Sequence, residues 1–317
     1  MSSPLRPPPV LRLLSRLHSW LGDRPSARRL ANRLGLRRLS RAWLRRTVVG
    51  GEGDERHDVT VLIGVRDRAD HRIVNALRSI RAQTLPSERI HTLVVDWGSE
   101  PACARFIERA CRRHGATYLA VDDVDVWSRA RCLNVGLRRA ETTFLMTSDA
   151  DILLSPDYLA DALRLLRREP LSVVCSPMLD LPEESTEAAR RSAEEDAPFP
   201  MEEWRDRTTP RLDWDFHPSI AVTFTAFYQL VRGYDEFYEV WGKEDEDLLE
   251  RLERLGLKAR PLASDSFYMH QWHPKHEGVP GGEDSDHIAR NREHFRTTHS
   301  LLRNGREWGR PDADVAR

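Results

Sequence analysis

The chain has 317 residues, 40% of them hydrophobic and 31% charged, with a formal net charge of −1. That composition excludes a disordered or fibrous chain and leaves room for one large folded domain or two small ones. No apolar run approaches the ~20 residues of a membrane span, and arginines interrupt every stretch that resembles a signal-peptide core, so a cytoplasmic protein is expected.

The near-neutral balance hides an asymmetry. Residues 1–50 hold twelve arginines against one acid, Asp23, so +11 sits there and −12 in the remainder. Val10, Leu13, Leu14, Leu17, Trp20 and Leu21 fall on one helical stripe, with Arg12, Arg16 and His18 elsewhere; a second basic helical stretch runs from Ala27 to Leu44, interrupted by Gly35. Basic amphipathic helices lie on anionic membrane surfaces, which makes residues 1–47 a candidate for peripheral attachment to the inner membrane face. Packing on the rest of the chain or on a partner suits the same stripe. No nucleic acid is expected, because no reader motif accompanies the arginines. Gly50-Gly51-Glu52-Gly53-Asp54 reads as a linker, dividing a 1–50 extension from a 51–317 domain. Cys103, Cys111, Cys132 and Cys175 lack CxxC or zinc-ligand spacing and read as reduced thiols.

Beyond the linker, Val59 to Ile63 is a β-branched run ending at Gly64, as a first buried strand requires. A helix from His71 to Gln83 follows, with Ile73, Leu77 and Ile80 on one face. Ile90 to Val95 is a second strand ending in Asp96-Trp97-Gly98-Ser99. Residues 101–114 read as helix, Tyr118 to Val121 as a third strand and Leu133 to Ala140 as a helix. Strands alternating with helices predict a mostly parallel α/β sheet with its site at the carboxyl strand ends. Neither Gly-x-Gly-x-x-Gly nor a P-loop occurs, which argues against dinucleotide enzymes and kinase-type ATPases. Arg66 and Arg68, just after the first strand, suit a phosphate or a base edge.

Phe144 to Met146 is a short buried strand leading into Asp149-Ala150-Asp151. In an extended segment residues i and i+2 share a face, so the two carboxylates should point together, roughly 7 Å apart. Paired hard oxygen ligands at a strand end suit a divalent cation carrying phosphates. A solvated acidic turn is the plain alternative. Against it, Ser155 and Pro156 already serve the next helix as N-cap and first residue, so neither aspartate is needed there.

The stretch from Ser176 to Pro218, rich in Glu, Asp, Arg, Pro and Ser, reads as a long polar loop of the kind that is functional or disordered, and Ile220 to Tyr228 as a strand. Trp241-Gly-Lys-Glu-Asp-Glu-Asp247 then opens a helix with Leu248, Leu249, Leu252 and Leu255 on its apolar face and Gly256 at its end. Asp247–Arg251 and Glu250–Arg254 form i,i+4 pairs. Acids stabilise a helix N-terminus, but four in a row after Trp-Gly exceed what capping requires. Met269-His-Gln-Trp-His-Pro-Lys-His-Glu277 gathers three histidines in one polar loop, and His287 to Trp308 reads as a helix and tail.

Val59-Thr-Val-Leu-Ile63 with Asp96-Trp-Gly-Ser99 resembles the opening of family 2 glycosyltransferases of the GT-A fold. Trp127-Ser-Arg-Ala-Arg-Cys-Leu-Asn-Val-Gly136 and Gly233-Tyr-Asp-Glu-Phe…Trp241-Gly-Lys-Glu-Asp-Glu-Asp-Leu248 resemble segments of the β-1,4-galactosyltransferases, family 7. Gly64-Val-Arg-Asp-Arg68 is similar to that family's Pro-Phe-Arg-Asn-Arg, departing at Gly64 and Asp67. The resemblance spans about residues 59–300, with a nucleotide-binding part near 59–155 and an acceptor part near 216–300. It implies that Arg66, Arg68, Asp96, Trp127, Arg129, Asp149 and Ala150 bind the donor and that Trp241 covers the transferred sugar. By the same resemblance Asp245 is the base with Glu244 beside it, and Asp151 and His273 are metal ligands. His270 takes a position where some members use another ligand. Imidazole with carboxylate suits Mn²⁺ better than Mg²⁺, the second choice. The implied protein is an inverting, metal-dependent glycosyltransferase of cell-envelope polysaccharide. It moves sugar from a nucleotide-diphosphate donor, a UDP-sugar by preference, to a hydroxyl of a glycan or lipid-linked acceptor. A nucleotidyltransferase of related fold and a non-catalytic assembly protein at a membrane surface are the alternatives.

Overall fold

The structure is a computed structural model that describes residues 12–13, 16, 41–45, 58–122, 124–210, 218–263, 265–274 and 286–311. All of the stripe 10–22 but residues 12–13 and 16, most of the basic stretch 27–44, the 50–54 linker and the end of the histidine loop at 275–277 lie outside the described residues.

The first half alternates as expected: β1 (Val59–Val65), α1 (His71–Arg81), β2 (Ile90–Trp97), α2 (Pro101–Arg113), β3 (Thr117–Val121), α3 (Arg129–Arg139) and β4 (Phe144–Asp149). β1 is apolar throughout because both faces of its sheet are covered, and only Gly64 in it falls short of full burial. Asp70 caps α1 by accepting the Arg72 N–H at 2.8 Å. α3 can lie close on β1 because of Gly136, where an added Cβ would stand 2.2 Å from Leu62 Cδ1.

The chain continues through β5 (Ile152–Leu154), α4 (Tyr158–Arg168), β6 (Ser172–Cys175), β7 (Met178–Asp180), α5 (Thr186–Glu195), α6 (Met201–Asp206), β8 (Thr209–Pro210), β9 (Ala221–Phe224), α7 (Thr225–Leu230), α8 (Glu244–Leu255), β10 (Lys258–Arg260), β11 (Tyr268–His270) and α9 (Asp286–Thr297). A seven-stranded sheet runs β10-β6-β9-β4-β1-β2-β3, parallel except for β9. Its order reverses between β1 and β4, and open α/β sheets bind ligands in the crevice beyond the carboxyl ends at such a point. Register brings Val65 opposite Asp96 and Gly64 opposite Asp149, so the residues after β1, β2 and β4 share that edge. A second sheet, β5-β11-β7-β8, has a small core of Leu153, Leu181, Ala189, Trp204, Phe267 and Met269.

Several expectations are corrected. The described part of the supposed polar loop 176–218 is built of β7, α5, α6 and β8. Its anchors are few and widely spaced, which hid them. Trp204 is buried, Arg78 Nη1 donates to Ser192 O at 2.7 Å, and Asn75 Nδ2 donates to Ala189 O at 2.9 Å, so α5 is tied to α1. The strand expected over 220–228 stops at Phe224, where the Thr225 N–H turns to Thr143 O and α7 begins. Ser155 does not cap a helix: its hydroxyl accepts the Phe267 N–H, and Gln83 Oε1 accepts the Leu159 N–H at the start of α4. α3 begins at Arg129, four residues before the expected start, because Ser128 Oγ accepts the Arg131 N–H at 3.2 Å. α9 ends at Thr297 and the chain from there to Trp308 is irregular, the helix and tail expected there.

In the basic extension, residues 41–45 are helical and Leu44 is fully buried in the main core, so this part packs on the domain. Cys111, Cys132 and Cys175 are buried, and all four cysteines are free thiols. Among the described residues no helix is long and apolar enough to cross a membrane.

Candidate active site

Asp149 and Asp151 do not share a face. Asp149 ends β4, Ala150 and Asp151 form a turn, and β5 leaves in the second sheet. The alternation rule fails at that turn, and the two carboxylates serve different partners. Asp149 Oδ1 accepts Arg129 Nε at 2.6 Å, whereas Asp151 faces the histidine loop. Ala150 between them is nearly buried.

Strand pairing assembles the metal-ligating group. β11 lies antiparallel to β5 and parallel to β7, with His270 in register with Ile152 and with Asp180. The Gln271 N–H donates to Asp151 O at 2.9 Å. The Gln271 amide turns into the core, donating to Arg72 O at 3.0 Å and accepting from Asn75 at 3.1 Å. His270 and His273 are thereby pinned on either side of a buried anchor. His270 Nδ1 stands 3.1 Å from Asp180 Oδ1 and His273 Nδ1 stands 2.9 Å from Pro274 O. Both partners are acceptors, which assigns the proton to Nδ1 in each ring and leaves each Nε2 with its lone pair. Burial, its largest cause, lowers the His273 pKa and so favours the neutral ring.

The two Nε2 atoms face each other at 3.2 Å, with Asp151 Oδ2 3.5 Å from His273 and 3.8 Å from His270. One ligand atom from each residue falls within a 4.8 Å cluster, and Asp151 Oδ1 is buried with no hydrogen-bond partner among the described residues. Acceptors converging without a donor are what a cation requires, and an imidazole–carboxylate set suits a divalent transition metal. The residues present fit such an ion.

A second cluster adjoins the first. Arg129, at the first position of α3, donates Nη1 to Asp245 Oδ1 at 2.5 Å and Nη2 to Ser219 O at 3.1 Å, besides its bond to Asp149. Asp245 and Glu244 open α8. Burial, the largest cause, raises the pKa of Asp245 well above the usual carboxylate range; Arg129 opposes this, while Glu244 and Asp149 add to it. Glu244 is raised in the same direction by burial, and its Oε2 is buried without a hydrogen-bond partner among the described residues. The expected helix pairs form, Arg251 Nε to Asp247 Oδ2 at 2.6 Å and Arg254 Nη2 to Glu250 Oε2 at 2.5 Å. Asp247 turns into the interior, where it also meets Arg303.

Trp241, three residues before Glu244 opens α8, has 51% of its surface exposed. Gly242 and Lys243 after it, and Val240 before it, all have positive φ. For β-branched Val240 at φ +62° that is a strained backbone. The Val240 N–H donates to Trp127 O at 2.8 Å, and Ser128 Oγ donates to Tyr238 O at 2.7 Å, so the two motif stretches are bound together. Trp127 packs, half-buried, against the main core. Asn134 within the first motif accepts the Tyr234 N–H at 2.8 Å and leaves no room for a Cβ at Gly233.

Arg66 is partly exposed, donating to Asp125 O at 3.3 Å. Its loop is tied to the end of β2, since the Asp67 N–H donates to Ser99 Oγ and Asp67 Oδ1 accepts the Glu100 N–H, both at 2.7 Å. The charge of Arg68 is the least of the influences that lower the His273 pKa, after burial and the charge of His270. Asp96 differs from an open acceptor. It is 2% exposed, and its oxygens already accept Tyr118 Oη at 2.7 Å and the Ser99 N–H at 3.1 Å.

Three contributors escaped the sequence. Asp180, which orients His270, sits in the stretch read as loop. Gln271 is hidden among the more conspicuous histidines. Ser219 acts through its carbonyl, which no sequence pattern marks. For Asp180 a signal existed: Met178-Leu179-Asp180 repeats the strand-then-aspartate form of the other sheet edges.

Residues 60–273 match the model of the family described as "Glycosyltransferase like family 2". A comparison with curated proteins gives no match. Among solved structures, S. aureus TarS 1-349 in complex with UDP superposes with a TM-score of 0.52 at 15% identity, over 69% of this chain and 61% of that one. The same protein in complex with UDP-GlcNAc gives 0.52 at 16%, over 68% and 59%, and a longer TarS structure gives 0.50 at 16%, over 69% and 37%. The chain thus matches less than two thirds of each of these structures. At such identities the likeness speaks for the fold, a mostly parallel mixed sheet flanked by helices.

Proposed function

The chain belongs to the glycosyltransferase-like family 2, and from that premise we propose that it is a metal-dependent, inverting transferase acting on a nucleotide-diphosphate sugar, most simply a UDP-sugar. The observation that carries the reading is the convergence of Asp151, His270 and His273 beside the Arg129–Asp149–Asp245 cluster at the carboxyl edge of the sheet. TarS, of the same fold, was solved with UDP and with UDP-GlcNAc, which supports a uridine donor.

In this reading Asp151, His270 and His273 would hold the cation. With a divalent ion bound, Mn²⁺ before Mg²⁺, these residues would supply charge neutralisation to the diphosphate of the departing nucleotide. Arg66 and Arg68 lie along the nucleotide, Asp149 bonds hydroxyls of sugar or ribose, and Ala150 keeps the turn between the two carboxylates narrow. Asp96 shapes the nucleoside pocket together with Tyr118 and Trp127. Asp245 takes the proton of the acceptor hydroxyl as that oxygen attacks the anomeric carbon, and its raised pKa suits a base near neutral pH. Arg129 holds Asp245 and Asp149 at a fixed separation, Glu244 faces the acceptor, and Trp241 covers the sugar from a loop whose Gly242 tolerates movement. The division into a nucleotide-binding part near 59–155 and an acceptor part near 216–300 belongs to the same proposal. So do the family 7 character of the second part, a glycan or lipid-linked acceptor in cell-envelope polysaccharide, and peripheral residence on the inner membrane face.

A donor-hydrolysis screen across UDP-, GDP- and TDP-sugars with Mn²⁺ tests the reading. Release of a nucleoside diphosphate from one donor is expected. Release of pyrophosphate in its place would favour a nucleotidyltransferase, and no turnover of any donor would leave the reading without support.

A further inference from the structure

Away from the candidate active site, a cleft of about 150 Å³ is lined by five cations: Arg41 and Arg45 of the extension, Arg168 at the end of α4, and Lys258 and Arg260 of β10. β6 and β10 run parallel to β4, and the cleft is also lined by Pro170, Leu171 and Ser172 at the amino end of β6. It therefore opens on the opposite edge of the sheet from Asp149. Glu169 is the acid in its wall, and Arg260 Nε holds it at 3.0 Å. Among the described residues no acid pairs with Arg41, Arg45, Arg168 or Lys258.

The arrangement is built, not incidental to a basic tail. Leu44 is fully buried in the main core, and Arg41 packs so closely on Gly256 that a Cβ there would meet its Cγ at 3.0 Å. Arg41 and Arg45, four residues apart on one helical face, are thereby fixed beside Lys258. Arg168 alone has another explanation, since a cation suits the C-terminus of α4. The remaining like charges repel one another around one concavity unless an anion joins them. Guanidinium forks and an ammonium group are the donors phosphate oxygens accept best. The volume lies below the ~300–1,000 Å³ of pockets that enclose drug-sized ligands, so the guest is a small group whose remainder stays outside.

We propose that this cleft binds a phosphate group, carried by the headgroup of an anionic lipid or by a free phosphorylated molecule. The site is separate from the donor site and does not depend on the transferase reading. The test compares the full-length chain with Arg41→Gln/Arg45→Gln/Lys258→Gln and with Arg105→Gln/Arg109→Gln/Arg112→Gln, which removes equal charge from exposed positions of α2. Each is titrated calorimetrically with pyrophosphate in chelator, and floated with phosphatidylcholine vesicles with and without phosphatidic acid. Circular dichroism checks that each variant folds; exposed Lys258→Glu serves if the triple cleft variant does not. The cleft variant should bind pyrophosphate on the order of a hundredfold more weakly, at about one surface-cation contribution per residue lost, while the α2 variant binds as the parent does. Cleft-dependent flotation that pyrophosphate reverses assigns the phosphate to a lipid headgroup. Cleft-dependent pyrophosphate binding with equal flotation of all three proteins assigns it to a free molecule. Absence of saturable pyrophosphate binding in the parent, or equal losses in the two variants, overturns the proposal.

Discussion

Asp149 and Asp245, on β4 and α8, are joined through a single guanidinium, with Arg129 donating Nε to one at 2.6 Å and Nη1 to the other at 2.5 Å. The strand-end carboxylate proposed to meet the donor and the helix-start carboxylate proposed as base are therefore held as one unit.

That unit makes the roles of the two aspartates separable. Asp245→Asn keeps the size of the side chain and one acceptor oxygen but cannot take a proton at neutral pH. Transfer should slow by roughly 10²–10⁴, the usual share of a general base, with UDP and Mn²⁺ binding nearly intact. Asp151→Asn should lose metal and donor affinity together, because it removes a charged ligand. Transfer at the parental rate by Asp245→Asn would pass the base assignment to Glu244.

The pH profile carries a sign. Asp245 must be ionised to act, and its pKa is raised, so the acid limb of kcat/KM should lie above the ~3.9 of an unperturbed aspartate. Glu244 adds to the elevation, so Glu244→Gln should move that limb to lower pH. Arg129 opposes it, so Arg129→Gln should move the limb upward while also weakening donor binding. Shifts in the same direction for both variants would contradict this electrostatic account.

Asp180 positions the metal-ligating face of His270 without joining the cluster itself. Asp180→Asn weakens the acceptor for the Nδ1 proton and loosens the ring, so Mn²⁺ affinity should fall by about 10–100-fold with little change in thermal stability. Calorimetric Mn²⁺ titration reads the effect directly, and unchanged affinity would reduce Asp180 to a strand-end packing residue.

Stability rests on a different charged group. Arg251 is fully buried between Asp247 and the carbonyls of Val231 and Gly233, and Asp247 also accepts Arg303 at 2.6 Å. Arg251→Met leaves Asp247 undercompensated and should cost about 3–5 kcal/mol in urea unfolding. Arg190→Gln, which breaks exposed pairs with Glu187 and Glu194, should leave the urea midpoint essentially unchanged.

The alternation of strand and helix through Asp149 was legible because buried parallel strands must be continuous apolar runs. The candidate stretches Asp149-Ala150-Asp151, Trp241–Asp245 and Met269–His273 stood out because chemistry-bearing types crowd there beyond structural need, and the fold does bring Asp151 to His270 and His273, and Asp149 to Asp245 through Arg129. The parallel facing of Asp149 and Asp151 was not, since it assumed extended backbone where the chain turns between two sheets. Gln83 capping α4 and Ser219 O on Arg129 are long-range partnerships of which local sequence carries no mark, and for Asp180 only the strand-then-aspartate form was visible, not its partner His270. The second sheet was lost in the same way, its small core resting on isolated residues such as Trp204 and Phe267 in an otherwise charged stretch.

The most direct measurement is calorimetric titration of UDP into the chain with and without Mn²⁺, repeated on His273→Ala. The account predicts that Mn²⁺ tightens UDP binding at least about tenfold, a differential of roughly 1.4 kcal/mol, and that His273→Ala abolishes the difference. Equal UDP affinity with and without Mn²⁺, or a full Mn²⁺ effect in His273→Ala, would contradict it.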